Sequence, residues 1–141
     1  MKVREVMRTE VQSVPVGTSV TDAFQTMRDG GFRHLPVLSS QEMVVGIVSD
    51  RDLRNVGVFY REPDSDGESF FVDDDTKIDE VMVSDPVCIS PDDDLRSAVQ
   101  LLRDEHFGCL VVSENGQLSG ILSYLDLLDV LHRLLDASEL K

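Results

Sequence analysis

The chain has 141 residues, 41% of them apolar, enough for one ordinary domain or two small halves sharing a core. Its 27 acidic residues against 13 Lys and Arg leave a formal net charge of -14, which argues against a basic face for nucleic acid and against anionic membrane surfaces. No apolar run approaches the roughly 18 to 20 residues of a membrane span, and the opening Met1-Lys2-Val3-Arg4-Glu5-Val6 lacks the apolar stretch of a signal peptide, so a cytoplasmic protein is expected.

In chain order, residues 3–7 read as a short apolar turn and residues 11–14 as a brief strand. Ser19-Val20-Thr21-Asp22 has the shape of a capping box with Asp in the Glu position, and Val20, Ala23, Phe24 and Met27 recur at helical spacing. Gly30-Gly31 ends that helix. Strands follow at 35–38 and 43–48, and a second helix begins near Asp50. The stretch from 59 to 75 mixes acids with four aromatics, Phe59, Tyr60, Phe70 and Phe71, and reads as a solvated loop. Asp64, Asp66 and Gly67 give it a faint likeness to a calcium loop, but the third ligand before the Gly and the correctly spaced Glu are missing.

The same order then returns: a turn at 78–82, a strand at 87–90, and acids at a helix start in Pro91-Asp92-Asp93-Asp94. Leu95, Ala98, Val99 and Leu102 form the apolar stripe of that helix. Strands at 109–113 and 118–122 flank Glu114-Asn115-Gly116-Gln117, a strong hairpin signal because Asn-Gly tolerates positive φ. A long amphipathic helix from near Tyr124 closes the chain.

This is a duplication. Gly46, Ser49 and Asp52 answer Gly120, Ser123 and Asp126 at a separation of 74, and Val6-Met7 answers Val81-Met82 at 75. The expected organisation is 1–57 for the first repeat, 58–77 for a connector and 78–141 for the second repeat. A half of that size buries too little surface alone, so the halves are expected to pack sheet to sheet about a pseudo-two-fold axis. Clefts would form where strands of one half meet the helix start of the other. Cys88 and Cys109 form no CxxC pair and read as buried free thiols, and the three histidines show no zinc-like spacing.

The β-α-β-β-α order, Arg33-His34-Leu35-Pro36-Val37 and the two copies of Gly-h-h-Ser-x-x-Asp, where h is apolar, resemble a tandem pair of CBS domains, a Bateman module. The resemblance covers nearly the whole chain except the connector. It implies an α+β fold of two tandem β-α-β-β-α CBS repeats. It implies a regulatory sensor for an adenine nucleotide (AMP, ADP or ATP) or a related adenosyl ligand, with no cofactor required, and not an enzyme. A homodimer is expected from the exposed apolar residues of the opening turn and of the Leu-rich last helix, acting on an unidentified regulated protein.

The resemblance also implies two ligand sites. The first combines Ser49, Arg51 and Asp52 with Val87, Ile89, Gly108, Cys109 and Leu110. The second combines Ser123 and Asp126 with Ser13, Val14, Arg33, His34 and Leu35. A carboxylate can accept from both hydroxyls of a ribose, Ser can bond a ribose or phosphate oxygen, and the helix start favours an anion. Ser and Asp at those positions are equally the ordinary cap and first turn of a helix. Arg51 can fork onto a phosphate, and its counterpart is Leu125; Arg33 and His34 have Gly108 and Cys109 as counterparts. No nucleophile–base pair, metal set or Walker loop is evident. A ligand-free oligomerisation module is the alternative.

Overall fold

The structure is a computed structural model, described for residues 1–61, 63, 68–72 and 75–139. The elements are a 3-10 turn at Val3–Glu5, β1 (Val14–Pro15), α1 (Val20–Gly30), β2 (His34–Leu38), β3 (Val44–Ser49), α2 (Asp50–Arg54), β4 (Val58–Arg61) and β5 (Glu68–Phe71). A second 3-10 turn at Ile78–Glu80 leads to β6 (Val83–Ser84), β7 (Cys88–Ile89), α3 (Leu95–Glu105), β8 (Cys109–Glu114), β9 (Gln117–Ser123) and α4 (Tyr124–Glu139). The α+β order of the two repeats is that expected from the sequence.

The elements form two compact units, and they do not follow the repeat boundary. One unit is Gln12–Pro86; the other is Met1–Val11 together with Val87–Lys141. Each repeat has handed its opening turn to the other. The backbone shows the exchange as matched bonds. Val3 N–H donates to Asp93 O at 2.9 Å and Leu95 N–H to Met1 O at 2.9 Å. In the other unit Ile78 N–H donates to Thr18 O at 2.8 Å and Val20 N–H to Thr76 O at 3.0 Å.

The exchanged residues are core residues. Val3 is fully buried among Ile89, Leu95, Ala98, Leu102, Leu110, Val112 and Leu122. Ile78 is fully buried among Val14, Val20, Ala23, Met27, Leu35, Val37, Val48 and Leu53. Burying one such side chain stabilises its unit by about 1.5 to 3 kcal/mol, so Val3 is a core residue and not the exposed dimer contact expected of the opening turn.

In the Gln12–Pro86 unit the sheet runs β1-β2-β3-β6, with β1 parallel to β2 and the other pairs antiparallel. In the other unit the sheet runs β7-β8-β9, and the Arg8 backbone bridges to Ile121 on the outer side of β9, as β6 does on β3. This edge explains the Gly of each motif. A Cβ on Gly120 would meet the Arg8 carbonyl oxygen at 2.6 Å, and one on Gly46 would collide with the Met82 side chain. Glycine is there for close approach, not for an unusual φ.

The helices are capped as the sequence suggests. Ser19 Oγ accepts from Asp22 N–H at 3.0 Å, and Gly31 ends α1 in the left-handed region at φ 69°. His106 takes the same left-handed position after α3 at φ 57°, where a side chain costs more than glycine does. Asn115 and Gly116 both have positive φ, as a tight hairpin between β8 and β9 requires.

Two expectations need correction. The stretch read as a solvated loop contains an antiparallel pair, β4 with β5, in which Val58 faces Phe71 and Arg61 faces Glu68. Its interspersed acids obscure the strand pattern that the aromatics favour. The weak calcium-loop likeness at Asp64, Asp66 and Gly67 lies outside the described residues. Neither cysteine is in a disulfide, but Cys88 is exposed, because alternation along β7 turns Ile89 inward and Cys88 outward.

Candidate ligand-binding site

In each unit the motif Ser stands where the second long strand of the repeat stops and a helix begins. Ser49 is the last residue of β3 and the cap of α2, and it lies opposite His34 in the register with β2. Asp50 N–H donates to Arg33 O at 2.9 Å. The start of β2 and the start of α2 are thereby locked together, and Arg33, His34, Ser49 and Asp52 share one end of one sheet. Ser49 N–H donates to Asp52 Oδ2 at 2.9 Å, and Asp52 N–H donates to Ser49 Oγ at 3.0 Å, a complete capping box. Among the described residues Asp52 Oδ1 takes no hydrogen bond. Arg51 points from an exposed position, and Arg54 pairs with Asp50 at 3.1 Å rather than with Asp52.

His34 is the titratable neighbour. Its pKa is lowered from the ordinary imidazole value, first by burial and also by Arg33, while Asp52 and Asp50 pull the other way. At neutral pH the ring is therefore uncharged in this unit. A phosphate contact from it would be a neutral hydrogen bond unless binding brought a proton with it.

The second copy is bonded differently. Ser123, at the end of β9, lies opposite Cys109. Its N–H donates to Asp126 Oδ2 at 2.8 Å, and its hydroxyl donates to the same oxygen at 3.1 Å. Asp126 is buried, with 8% of its surface exposed, and its other oxygen, Oδ1, is 3.7 Å from an Arg8 guanidinium nitrogen. Sequence reasoning missed Arg8. Nothing local marks it; it reaches Asp126 only because the opening turn is exchanged. Burial pushes the Cys109 thiol up to about 12, with the Asp126 charge adding to the shift, so Cys109 is a neutral wall of this site.

The remaining expected residues divide by unit. Ser13, Val14, Arg33, His34, Leu35, Ser49, Arg51 and Asp52 belong to Gln12–Pro86; Val87, Ile89, Gly108, Cys109, Leu110, Ser123 and Asp126 belong to the other unit. Val14, Leu35, Ile89 and Leu110 have their side chains in the cores of their own units. Strand alternation turns these four side chains inward and leaves their backbone groups to offer. Val87, Gly108 and Leu125 are exposed.

A strand pair running into a helix start is thus presented twice, with a half-buried carboxylate at one junction and a buried one at the other. The chain belongs to the CBS domain family, which matches it at residues 3–58 and again at 78–133. It is 28% identical over 127 residues to the uncharacterized protein YlbB of Bacillus subtilis, covering 89% of this chain and 79% of that one. Of several other curated relatives, longer proteins, the chain spans only 21% to 24%. Among solved structures it is similar to CBSX2 in complex with AMP, with a TM-score of 0.77 and 23% identity over 94% of this chain and 97% of that one. It is also similar to the CBS domain pair of protein MJ0100 in complex with 5′-methylthioadenosine and S-adenosyl-L-methionine, with a TM-score of 0.76 and 14% identity over 94% of this chain and 96% of that one. Both likenesses show the fold, a pair of CBS domains.

Proposed function

We propose that this chain is a sensor for an adenosyl ligand, an adenine nucleotide such as AMP, ADP or ATP in the first instance, and that it regulates a partner protein through a conformational or oligomeric change. The observation that carries the reading is the carboxylate at each strand-to-helix junction. Asp52 and Asp126 each spend Oδ2 on the backbone N–H of the motif Ser, which fixes the carboxylate and leaves Oδ1 facing away from that bond. An oriented carboxylate oxygen suits the adjacent hydroxyls of a ribose. Ser49, Arg51 and Asp52, with Arg33 and His34 beside them, are the proposed ligand residues of one unit. Ser123 and Asp126, with Gly108, Cys109 and the backbone around Val87 and Leu110, are those of the other. That CBSX2 was solved with AMP, and MJ0100 with two adenosyl compounds, supports the ligand class.

The cytoplasm is the proposed setting, since neither cysteine is in a disulfide and no helix among the described residues is long and apolar enough to cross a membrane. The proposed assembly is a homodimer through α4, where Leu125, Leu128, Leu131, Leu134 and Leu135 are each about half exposed or more, at 49% to 61%. The same face favours a second reading, an assembly module without a ligand.

Calorimetric titration of the nucleotide-stripped protein with AMP, ATP, 5′-methylthioadenosine and S-adenosylmethionine tests the proposal. Saturable binding of one or two molecules per chain supports the sensor. No heat and no melting shift with any of the four, together with a dimer in sedimentation, supports the assembly module instead.

A further inference from the structure

We propose that Arg8 sets the ligand preference of the Asp126 unit, favouring an adenosyl ligand with an anionic 5′ group over a neutral or cationic one. The inference rests on the reading of Asp126 as a ribose acceptor. Arg8 is held rigidly at its backbone: its N–H donates to Ile121 O at 2.8 Å, and Ile121 N–H donates back to Arg8 O at 3.0 Å. That anchors it two residues before Ser123 in the register of β9. Its side chain is 53% exposed, whereas that of Asp126 is 10% exposed. The guanidinium therefore stands at the solvent side of a sunken carboxylate, where a ligand seated on Asp126 would project.

The separation of 3.7 Å is an ion pair but not a hydrogen bond. Among the described residues the Arg8 guanidinium makes no hydrogen bond at all, so its planar fork of donors is unspent. A phosphate brought next to Asp126 would meet a like charge in a chain that already carries -14. Arg8 offsets that repulsion and offers two parallel N–H donors to the phosphate oxygens. A thioether offers no acceptor of that strength, and a sulfonium would be repelled.

The arrangement is peculiar to this unit. The residue placed like Arg8 on the other sheet is Val83, which pairs with Ile47 as Arg8 pairs with Ile121. Around Asp126 the strand and helix positions that carry Arg33, His34 and Arg51 in the other repeat hold Gly108, Cys109 and Leu125. The exchanged opening turn supplies the cation that these positions lack.

The test titrates the full chain and its Arg8→Gln and Arg8→Lys variants with AMP and with 5′-methylthioadenosine. Arg8→Gln should weaken AMP by about five- to tenfold and leave 5′-methylthioadenosine within about twofold, with Arg8→Lys in between. In the unmodified protein the preference for AMP should shrink as NaCl rises from about 50 to about 500 mM, a readout independent of any variant's folding. A ratio of the two affinities that is unchanged by Arg8→Gln and by salt overturns the role of Arg8. Equal tightening of both ligands also overturns it, since Arg8 would then merely compete for Asp126. An unmodified protein that binds neither compound overturns the ribose reading and this inference with it.

Discussion

Ser49 and Asp52 hold each other by two reciprocal hydrogen bonds, whereas Ser123 turns both its N–H and its hydroxyl onto one oxygen of Asp126. The same motif is thus a complete cap in one repeat and a one-sided clamp in the other. Asp52→Ala should cost about 1 kcal/mol of stability through the lost cap and should also weaken an adenosyl ligand about tenfold. Asp52→Asn keeps an oxygen for the Ser49 N–H and loses only the charge. It should stay within about 0.5 kcal/mol of the parent in urea denaturation while showing the same tenfold loss in calorimetry. Normal binding by Asp52→Asn would reduce Asp52 to a cap.

The two motif glycines are unequal. A methyl on Gly120 meets the carbonyl oxygen of Arg8, a residue whose backbone is tied to Ile121 by two hydrogen bonds, while a methyl on Gly46 meets the end of a flexible Met82 side chain. Gly120→Ala should cost about 2 to 3 kcal/mol and Gly46→Ala about 1 kcal/mol or less, both read from denaturant midpoints. Equal costs would mean that the edge over Gly120 shifts freely.

His34 gives a pH signature. Burial holds its folded pKa below the ordinary 6.5. Below that value the unfolded chain therefore binds the proton more readily, and stability falls as pH drops through the window beneath 6.5 and is complete above it. His34→Gln should flatten that part of the stability–pH curve. A parent curve that matches the variant between pH 7 and 5 would show that the ring is not held neutral.

The thiols separate in the same manner. Native protein treated with iodoacetamide near pH 8 should be labelled at the exposed Cys88 and spared at Cys109, whose thiol is held up at about 12. Both should react after unfolding. Mass spectrometry of the peptides decides it, and early labelling of Cys109 would mean that β8 opens readily at its first residue.

What could be read from the sequence was whatever local chemistry fixes. Asn115-Gly116 sits in its hairpin because only such residues relax at positive φ, and Ser19 caps α1 because its hydroxyl finds the N–H of Asp22. The repeat itself predicted matched cores, and the positions that answer each other are buried in pairs, Leu35 with Leu110 and Val37 with Val112. The exchange of Val3 and Ile78 could not be read, because an apolar turn does not say which of two equivalent pockets it fills. Arg8 was missed for that reason. Strands β4 and β5 are hidden by charge, and Val14, Leu35, Ile89 and Leu110, which the resemblance gives to a ligand, have their side chains in the cores of their own units.

The exchanged opening turn has a consequence for how the chain is made. The Gln12–Pro86 unit is continuous and can close as soon as its own residues have emerged from a ribosome. Met1–Val11 cannot: the backbone that receives Arg8 is Ile121, and the pocket that receives Val3 is finished only by Leu122. At roughly 5 to 20 residues per second, this segment stays unsatisfied for on the order of ten seconds, until the last sheet appears. During that interval Val3, Val6 and Met7 are an apolar segment without a host, interspersed with the charges of Lys2, Arg4, Glu5 and Arg8.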